Sequence, residues 1–469
     1  MPGRSALRYI ASDNVGLKCP AAHRAPLSIT AGKMNTREWI ARNLAAAMLC
    51  GKWSPRARSD RARFLLGTQN SRERTALLRR LAAFADHSEQ PPSPDWLTDF
   101  FLAAPEFNGA VAHILKVLKP AKFAPAKKFA DLNVPKINSS GDLAAWLGLS
   151  NEHLEWLSDT RRQHSRTAIP VLQNYRYIFV LKKHGSPRLI EEPKPRLKTI
   201  QRRILREILD RVPVHACAHG FVAKRSCVTS AQAHCGEFIV LAADLKNYFT
   251  SIPAARIQGI FRAIGYPNSV ARLLTGLCTS DTPTSVFANR PGGLMCDWQT
   301  RKLYQQPHLP QGAPTSPALA NLVSFSLDRR ISGLAARFGA KYTRYADDLA
   351  FSGDDIFDRR IDTFLENVAM IAVDEGFTLN AAKTRVMRRS QSQRIIGVTV
   401  NDHINLPRDT FDELKAILHN CRKLGPNTQN LQGVANFEEH LRGRIAWAAS
   451  LNPARGAKLH AMFNLIRWT

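Results

Sequence analysis

Apolar residues return every three or four positions along "MNTREWIARNLAAAMLCGKW", and the same period continues through "SDRARFLLG" and "SRERTALLRRLAAFA". Such a period places one apolar face on a helix, so these stretches predict amphipathic helices. Pro91, Pro92 and Pro94 mark a turn before another helix. "SSGDLAAWLGLSNEHLEWLSD" predicts a compact helical unit with Ser139 or Ser140 as N-cap. The pattern then changes. "YRYIFVLKK" and "PRLIEEP" read as two strands of a hairpin about a Gly185-Ser186 turn. "LKTIQRRILREILDRV" returns to the helical period. "EFIVLAAD" is a continuous apolar run, as expected of a strand covered on both faces, and it ends on Asp244. "SPALANLVSFSLDRRISGLAARF" predicts one long helix opened by Pro317. "YTRYADDLAFSG" predicts two strands with an acidic pair, Asp347 and Asp348, at the tip between them. Helices and strands mix without a regular alternation, so the fold class is α+β.

Residues 1–33 carry no period and read either as a disordered tail or as lying upstream of a true start at Met34. Residues 34–117 form a basic helical region that includes Arg56, Arg58, Arg61, Arg63, Arg72 and Arg74. That charge suits a solvated face or a surface for RNA or protein. "LKPAKFAPAKKFADLNVPK", residues 118–136, reads as a semi-rigid Lys/Pro-rich linker.

The 469 residues exceed what one core organises, so several domains are expected. Lys plus Arg number 66 against 38 Asp plus Glu, a formal charge of +28 that favours a polyanionic partner. No apolar run reaches the ~18 residues of a membrane span, and the N-terminus lacks an apolar leader core. A cytoplasmic location without membrane contact is expected. The 8 cysteines show no Cys-x-x-Cys pair and read as reduced thiols. "HACAHG" with "HCG" gathers His and Cys, at spacings that match no common zinc pattern.

In so basic a chain the acidic pair needs a reason. Adjacent carboxylates repel, and each raises the other's pKa. Asp244, at the end of a buried strand, could join them to hold a hard cation such as Mg²⁺ through oxygen ligands. Two such ions serve in-line phosphoryl transfer. An ordinary Asp-Asp turn is the plain alternative.

These segments together resemble the reverse transcriptases. "YADD" at 345–348 resembles their catalytic tetrapeptide, "LPQGAPTSPALANL" their nucleotide-binding block and "LAADLKNYFTSI" the block with their first catalytic carboxylate. "GFTLNAAKTRVM" resembles the block that contributes a lysine, here Lys383. "HGFVAKRSCVTSAQAH" and "RIIGVTVNDHINLPRD" resemble segments of the bacterial retron branch. Ser230 stands where the retron Asn-Ala-x-x-His signature has Asn, and Ile395-Ile396-Gly397 keep only the glycine of Val-Thr-Gly. The resemblance covers residues 137–469.

The resemblance implies a right-hand polymerase fold: fingers at 137–240, palm at 241–402 and a helical thumb at 403–469, beside the additional N-terminal helical region. It implies Asp244, Asp347 and Asp348 as catalytic ligands of two Mg²⁺ ions. Phe249 would exclude a ribose 2′-OH, and Gln311 and Gly312 would lie beside the incoming nucleotide. Lys383, with Arg188, Lys194 or Lys198, would meet dNTP phosphates. Arg442, Arg444, Arg455, Lys458 and His403, with Asn405 beside it, would meet RNA. The implied activity is copying part of a cognate structured non-coding RNA into branched single-stranded DNA from a guanosine 2′-OH, in anti-phage defence with an accessory effector protein. A group II intron-like or other defence-associated reverse transcriptase is the nearest alternative. An inactive RNA-binding scaffold is the more distant one.

Overall fold

The alternation of buried and exposed positions becomes physical in a computed structural model of the chain, which describes residues 36–49, 53–57, 72–85, 91–107, 122–167, 169–180, 188–288 and 298–468. The tail at 1–33, the Gly185-Ser186 turn and the side chains of Arg58, Arg61, Arg63 and Arg74 lie outside the described residues. The chain divides into two bodies, one ending at Ala121 and one running from Lys122 to Thr469.

In the first body, α1 (Thr36–Leu49), α2 (Arg72–Ala85) and α3 (Pro94–Ala103) share one core. Ile40, Leu44, Met48, Leu77, Leu81, Leu97 and Phe101 fill it, at the three-to-four spacing the sequence displays. Ser93 caps α3 by accepting from the Trp96 amide at 3.2 Å. Arg56 and Arg72 are exposed.

The second body begins with a correction. From Lys122 the expected linker is tied down: the Ala124 amide donates to the Gly265 carbonyl at 2.8 Å and the Ala126 amide to the Ala263 carbonyl at 3.0 Å. Val134 and Ile137 enter the main core. Apolar residues at intervals among the lysines are what the compositional reading overlooked.

Two short helices follow, α4 (Ser140–Leu147) and α5 (Asn151–Ser158). Ser139 is the N-cap of α4, in a reciprocal capping box with Asp142. β1 (Tyr175–Val180) pairs antiparallel with β2 (Arg188–Pro193). α6 (Pro195–Glu207) buries Leu197, Ile200 and Ile204 and turns its cations outward. After α7 (Cys227–Gln232) comes β3 (Ile239–Asp244), then α8 (Ala254–Ile264) and α9 (Asn268–Cys278).

The helix expected over 316–338 is instead two, α10 (Ser316–Val323) and α11 (Phe325–Arg337). They divide at Ser324, whose ψ is 0° and whose hydroxyl hydrogen-bonds the Tyr248 hydroxyl at 2.9 Å. A small polar residue meeting a buried partner overrides the apolar period there. β4 (Lys341–Tyr345) and β5 (Asp348–Gly353) form the predicted hairpin, followed by α12 (Ile361–Asp374) and β6 (Arg385–Arg388). A small hairpin, β7 (Arg394–Ile395) with β8 (Val398–Thr399), leads to α13 (Arg408–Leu424), α14 (Phe437–Leu451) and α15 (Pro453–Phe463).

The four-stranded sheet runs β4-β5-β3-β6. Ile239, Leu241 and Ala243 of β3 enter one core with α8 to α12, while Val240 enters a second core with α13 to α15. Both faces are therefore buried, as the unbroken apolar run demands. Among the described residues no helix is long and apolar enough to cross a membrane. Cys217, Cys227, Cys235, Cys278 and Cys421 are free thiols.

Two buried ion pairs organise this body. The Arg344 guanidinium on β4 donates to both carboxylate oxygens of Asp328 on α11, at 2.7 Å each, and both side chains are fully buried. Glu191 on β2, also fully buried, accepts from Thr282 Oγ1 at 2.7 Å and from His308 Nε2 at 2.8 Å. His308 Nδ1 faces the Gln306 carbonyl at 2.7 Å, an acceptor, so both ring nitrogens donate and the ring is an imidazolium. Burial works against that charge, but Glu191 and the Gln306 carbonyl outweigh it and hold the His308 pKa above its ordinary value.

Replacing Asp328 by Asn strands a buried guanidinium, and the expected loss is about 3–5 kcal/mol in urea unfolding. A loss below ~1 kcal/mol, the size of a surface pair, would show that the pair is not what braces the hairpin. His308 supplies a pH test. A histidine raised on folding stabilises fully below its unfolded pKa, and that contribution disappears as pH rises through its folded pKa. The urea midpoint of the wild type minus that of His308→Gln should be largest near pH 6 and shrink on the alkaline side; a flat difference would contradict a charged His308.

Candidate active site

β3 and β5 pair so that Asp244 stands opposite Asp348, and Asp347 occupies the turn one residue earlier. Local geometry locks this arrangement. Ala346 in the turn has φ 56°, a left-handed conformation that costs a residue other than glycine about 1 kcal/mol or more. Arg344, braced by Asp328, donates to the Ala346 carbonyl at 3.1 Å and to Asn321 Oδ1 at 3.0 Å. The Leu245 amide donates to the Asp347 carbonyl at 2.9 Å.

Beneath the turn lies the segment Cys217–Gly220. The Arg344 amide donates to the Cys217 carbonyl at 2.8 Å, and the His219 amide to the Arg344 carbonyl at 2.7 Å. A Cβ on Gly220 would stand 2.6 Å from the Ala346 nitrogen, so only glycine lets the segment come this close. Asn321 Nδ2 holds the Gly220 carbonyl at 2.8 Å. The "SAQAH" stretch braces the same hairpin: Ser230 Oγ and His234 Nε2 each hydrogen-bond Thr343 Oγ1 at 2.8 Å, and His234 Nδ1 bonds Ser352 Oγ at 2.7 Å. Burial, then the charges of Lys341 and His219, push the His234 pKa down to about 3, so the ring is neutral. Ser230 thus keeps a polar bond to β4 where the retron signature has Asn.

Asp244 is buried, Asp347 half-buried and Asp348 exposed at the rim. Asp244 accepts from Lys383 Nζ and, at 3.2 Å, from Asn380 Nδ2. Desolvation raises the Asp347 pKa; the Asp244 charge adds to this, while Lys383 and Arg188 work against it. Asp348 rises to about 6, from partial desolvation and then from Asp347 and Asp244. The trio is thus a crowded set of hard oxygen donors with one ammonium against it, and such a set matches a hard divalent cation.

The three carboxylates do not close to the 4.8 Å spacing of a single-ion cage; the one triad that does among the described residues is His215, Cys217 and Asp328. That triad is unsuited to an ion, because both Asp328 oxygens serve Arg344 and burial pushes the Cys217 thiol far up. The sequence-level His/Cys cluster therefore resolves into packing. The trio would offer carboxylate oxygens to hard ions such as Mg²⁺, which commonly take one or two carboxylates and complete their shell with phosphate and water.

The remaining expected residues fall into three groups. Phe249, just beyond β3, is half-buried with its ring edge-on to Tyr248 at 5.3 Å. Gln311 and Gly312 are seated on β2: the Glu191 amide donates to the Gln311 carbonyl at 2.8 Å, and a Cβ on Gly312, with φ 134°, would meet the Glu191 carbonyl at 2.9 Å. Arg188 opens β2, exposed, and its charge reaches Asp347. Lys198 pairs with Glu192 at 2.8 Å, and Lys194 Nζ donates to the Pro170 and Val171 carbonyls, so Lys194 ties the turn before β1 to the start of α6.

In the C-terminal helices, Arg442 pairs with Glu438 at 2.7 Å and Arg444 with Glu413 at 3.2 Å. Arg455 lies over the Phe411 ring and donates to the Leu406 carbonyl at 3.2 Å, which makes it a packing residue. Lys458 and His403 are exposed, and the His403 ring meets Asn405 at 3.3 Å. Asn380, Arg344, Asp328, Asn321 and Gly220 went unnoticed in the sequence. Asn380 lies in the same block as Lys383, a signal that was available; the others act through tertiary contacts no local pattern announces.

A family model described as reverse transcriptase (RNA-dependent DNA polymerase) matches residues 180–400. The chain is similar to the retron Mx65 reverse transcriptase of Myxococcus xanthus, 39% identical over 340 residues, which cover 71% of this chain and 73% of the relative. The retron Mx162 reverse transcriptase of the same organism is 35% identical over 335 residues, 68% of this chain and 65% of the relative. The retron Ec86 reverse transcriptase of Escherichia coli is 27% identical over 340 residues, 71% of this chain and 91% of the relative. Taken with the mixed helix-and-sheet body around a carboxylate-tipped hairpin, these likenesses show that the chain is an RNA-directed DNA polymerase and belongs to the retron reverse transcriptases.

Proposed function

We propose that Asp244, Asp347 and Asp348 carry nucleotidyl transfer with two Mg²⁺ ions, on a cognate structured non-coding RNA and with dNTPs as substrates. The observation that carries the reading is the register of Asp244 opposite Asp348 with Asp347 at the adjoining turn. When bound, the ions supply activation of the primer hydroxyl and neutralisation of charge on the leaving pyrophosphate. The chain's own groups do the positioning. Lys383, which touches Asp244 in the protein alone, would turn toward the nucleotide phosphates, with Arg188 approaching them from β2. Phe249 would stand beneath the sugar and exclude a 2′-OH. Gln311 and Gly312 would present backbone beside the incoming nucleotide, held by the Glu191 contact.

In this reading residues 137–240 are fingers, 241–402 palm and 403–469 thumb, with the N-terminal helices an additional region. Lys458 and His403 are the most available thumb contacts for RNA phosphates, with Arg442 and Arg444 able to exchange their carboxylate partners for phosphate. The product would be branched single-stranded DNA attached to its RNA, made in the cytoplasm for anti-phage defence with an accessory effector.

Two measurements test the site and the reaction. Asp348→Asn should cut primer extension on poly(rA) by about 10³-fold or more, as expected when transition-state charge stabilisation is lost. In EDTA at pH 7.5 the same variant should melt above the wild type, because it removes a carboxylate whose ionisation the fold resists. That gain should fade toward pH 4, where the wild-type carboxyl is protonated. A variant that melts lower and keeps its activity would remove Asp348 from the site. Expression with the flanking intergenic DNA should yield RNase-resistant, DNase-sensitive short DNA that disappears in Asp347→Ala, Asp348→Ala. Its absence, with poly(rA) extension intact, would leave the polymerase and discard the branched product.

A further inference from the structure

A cavity of about 200 Å³ lies apart from the carboxylate trio, between the C-terminal end of α5, the start of β1 and the C-terminal end of α9. It shares no lining residue with the trio, Lys383 or Phe249. It is smaller than the ~300–1,000 Å³ of ordinary small-molecule sites, so it suits one planar fragment whose remainder stays outside. Its polar lining is uneven. Asp281 offers a carboxylate whose one side-chain hydrogen-bond partner among the described residues is Ser165 Oγ, donating to Oδ2 at 2.7 Å. His164, more than nine-tenths buried, lines the cavity, and its Nε2 has no hydrogen-bond partner among the described residues.

The tautomer of that ring can be read. His164 Nδ1 lies 3.4 Å from the Asp159 carboxylate, and burial holds the ring's pKa below its ordinary value, so the proton belongs on Nδ1 and Nε2 is an acceptor. These two acceptors, the Asp281 carboxylate and His164 Nε2, call for hydrogen-bond donors. At the rim Arg162 and Arg272 are exposed and make no ion pair among the described residues. A fragment with two adjacent donors inside and an anionic group outside satisfies both halves.

Among the common nucleobases only guanine presents two adjacent donors, N1–H and N2–H₂, on its Watson–Crick edge. Adenine and cytosine pair a donor with an acceptor, and uracil flanks its donor with two acceptors. A carboxylate accepts both guanine donors at once. We propose that this cavity is a guanine pocket, with Asp281 receiving the N1 and N2 donors and Arg162 and Arg272 meeting the phosphate outside. The base could arrive on a free guanine nucleotide or as an unpaired residue of RNA. Only the RNA source rests on the RNA-directed reading.

The test is calorimetric titration of the full-length chain in EDTA, so that no divalent ion recruits phosphate to the trio. GMP should bind at least ~10-fold more tightly than AMP, CMP or UMP, the discrimination of one bidentate base contact. IMP, which lacks the N2 amine, should bind ~10-fold more weakly than GMP without any change to the protein. Asp281→Asn should abolish the preference while its melting temperature stays near the wild type's. The oligonucleotides AAGAA and AACAA separate the sources. If AAGAA binds more tightly than GMP and loses that advantage in Arg162→Gln, Arg272→Gln, the base comes from RNA; if AAGAA does not exceed GMP, the ligand is the nucleotide. Equal binding of all four nucleotides, GMP no tighter than IMP, or a preference that survives Asp281→Asn would overturn the proposal, and none of these readouts depends on polymerase activity.

Discussion

A guanidinium buried beneath the acidic turn is the constraint on which the site depends. Arg344 satisfies its donors with Asp328, Asn321, the Tyr248 hydroxyl and the Ala346 carbonyl, so four separate parts of the fold converge on one side chain. Burying such a pair brings little net stability against an apolar replacement, and its strength lies in geometry. A planar, bidentate contact at 2.7 Å admits one arrangement of β4 on α11. The turn conformation at Ala346 and the position of Asp347 follow from that arrangement.

Asp328 takes both arms of the Arg344 guanidinium, so that charge is answered on the side away from the carboxylates. The carboxylates have Lys383 and, at Asp347, the charge of Arg188, and desolvation and mutual repulsion still push Asp347 and Asp348 upward. The chain's +28 charge lies elsewhere, including on the outward cations of α6 and the surfaces of α13 to α15. The division is a physical one: surface cations favour a polyanion over a wide area, while at the trio carboxylates outnumber the cations beside them, as a site for divalent ions would require.

Much of this was legible because burial and period agree. The run "IVLAAD" predicted a strand covered on both faces, and Val240 does face a different core from Ile239 and Leu241. The YADD hairpin and Ser139 as a cap could likewise be read from local order, whereas the contact of Lys383 with Asp244, 139 residues away, could not. What escaped was long-range and polar. Ser324 divides a helix because Tyr248 lies opposite it, and the Lys/Pro-rich stretch is docked because Gly265 and Ala263 offer it carbonyls. Glu191 meets His308 across a separation of 117 residues, which no window-based reading could join. "SAQAH" was noticed as a family signature, yet its work is mechanical, since Ser230 and His234 hold Thr343 and Ser352 of the hairpin.

The segment Cys217–Gly220 has another effect. β4 is the outer strand of its sheet, and Ala218 forms a parallel bridge to Arg344 there. Open sheet edges template the addition of foreign strands, from partner peptides to aggregates of like chains. Here the amide and carbonyl of Arg344 that point outward are already spent on Cys217 and His219. The chain thus seals its own sheet beside the reactive turn. Whatever visits that side must be recognised through side chains, and a nucleic acid, which has no strand to add, loses nothing by the closure.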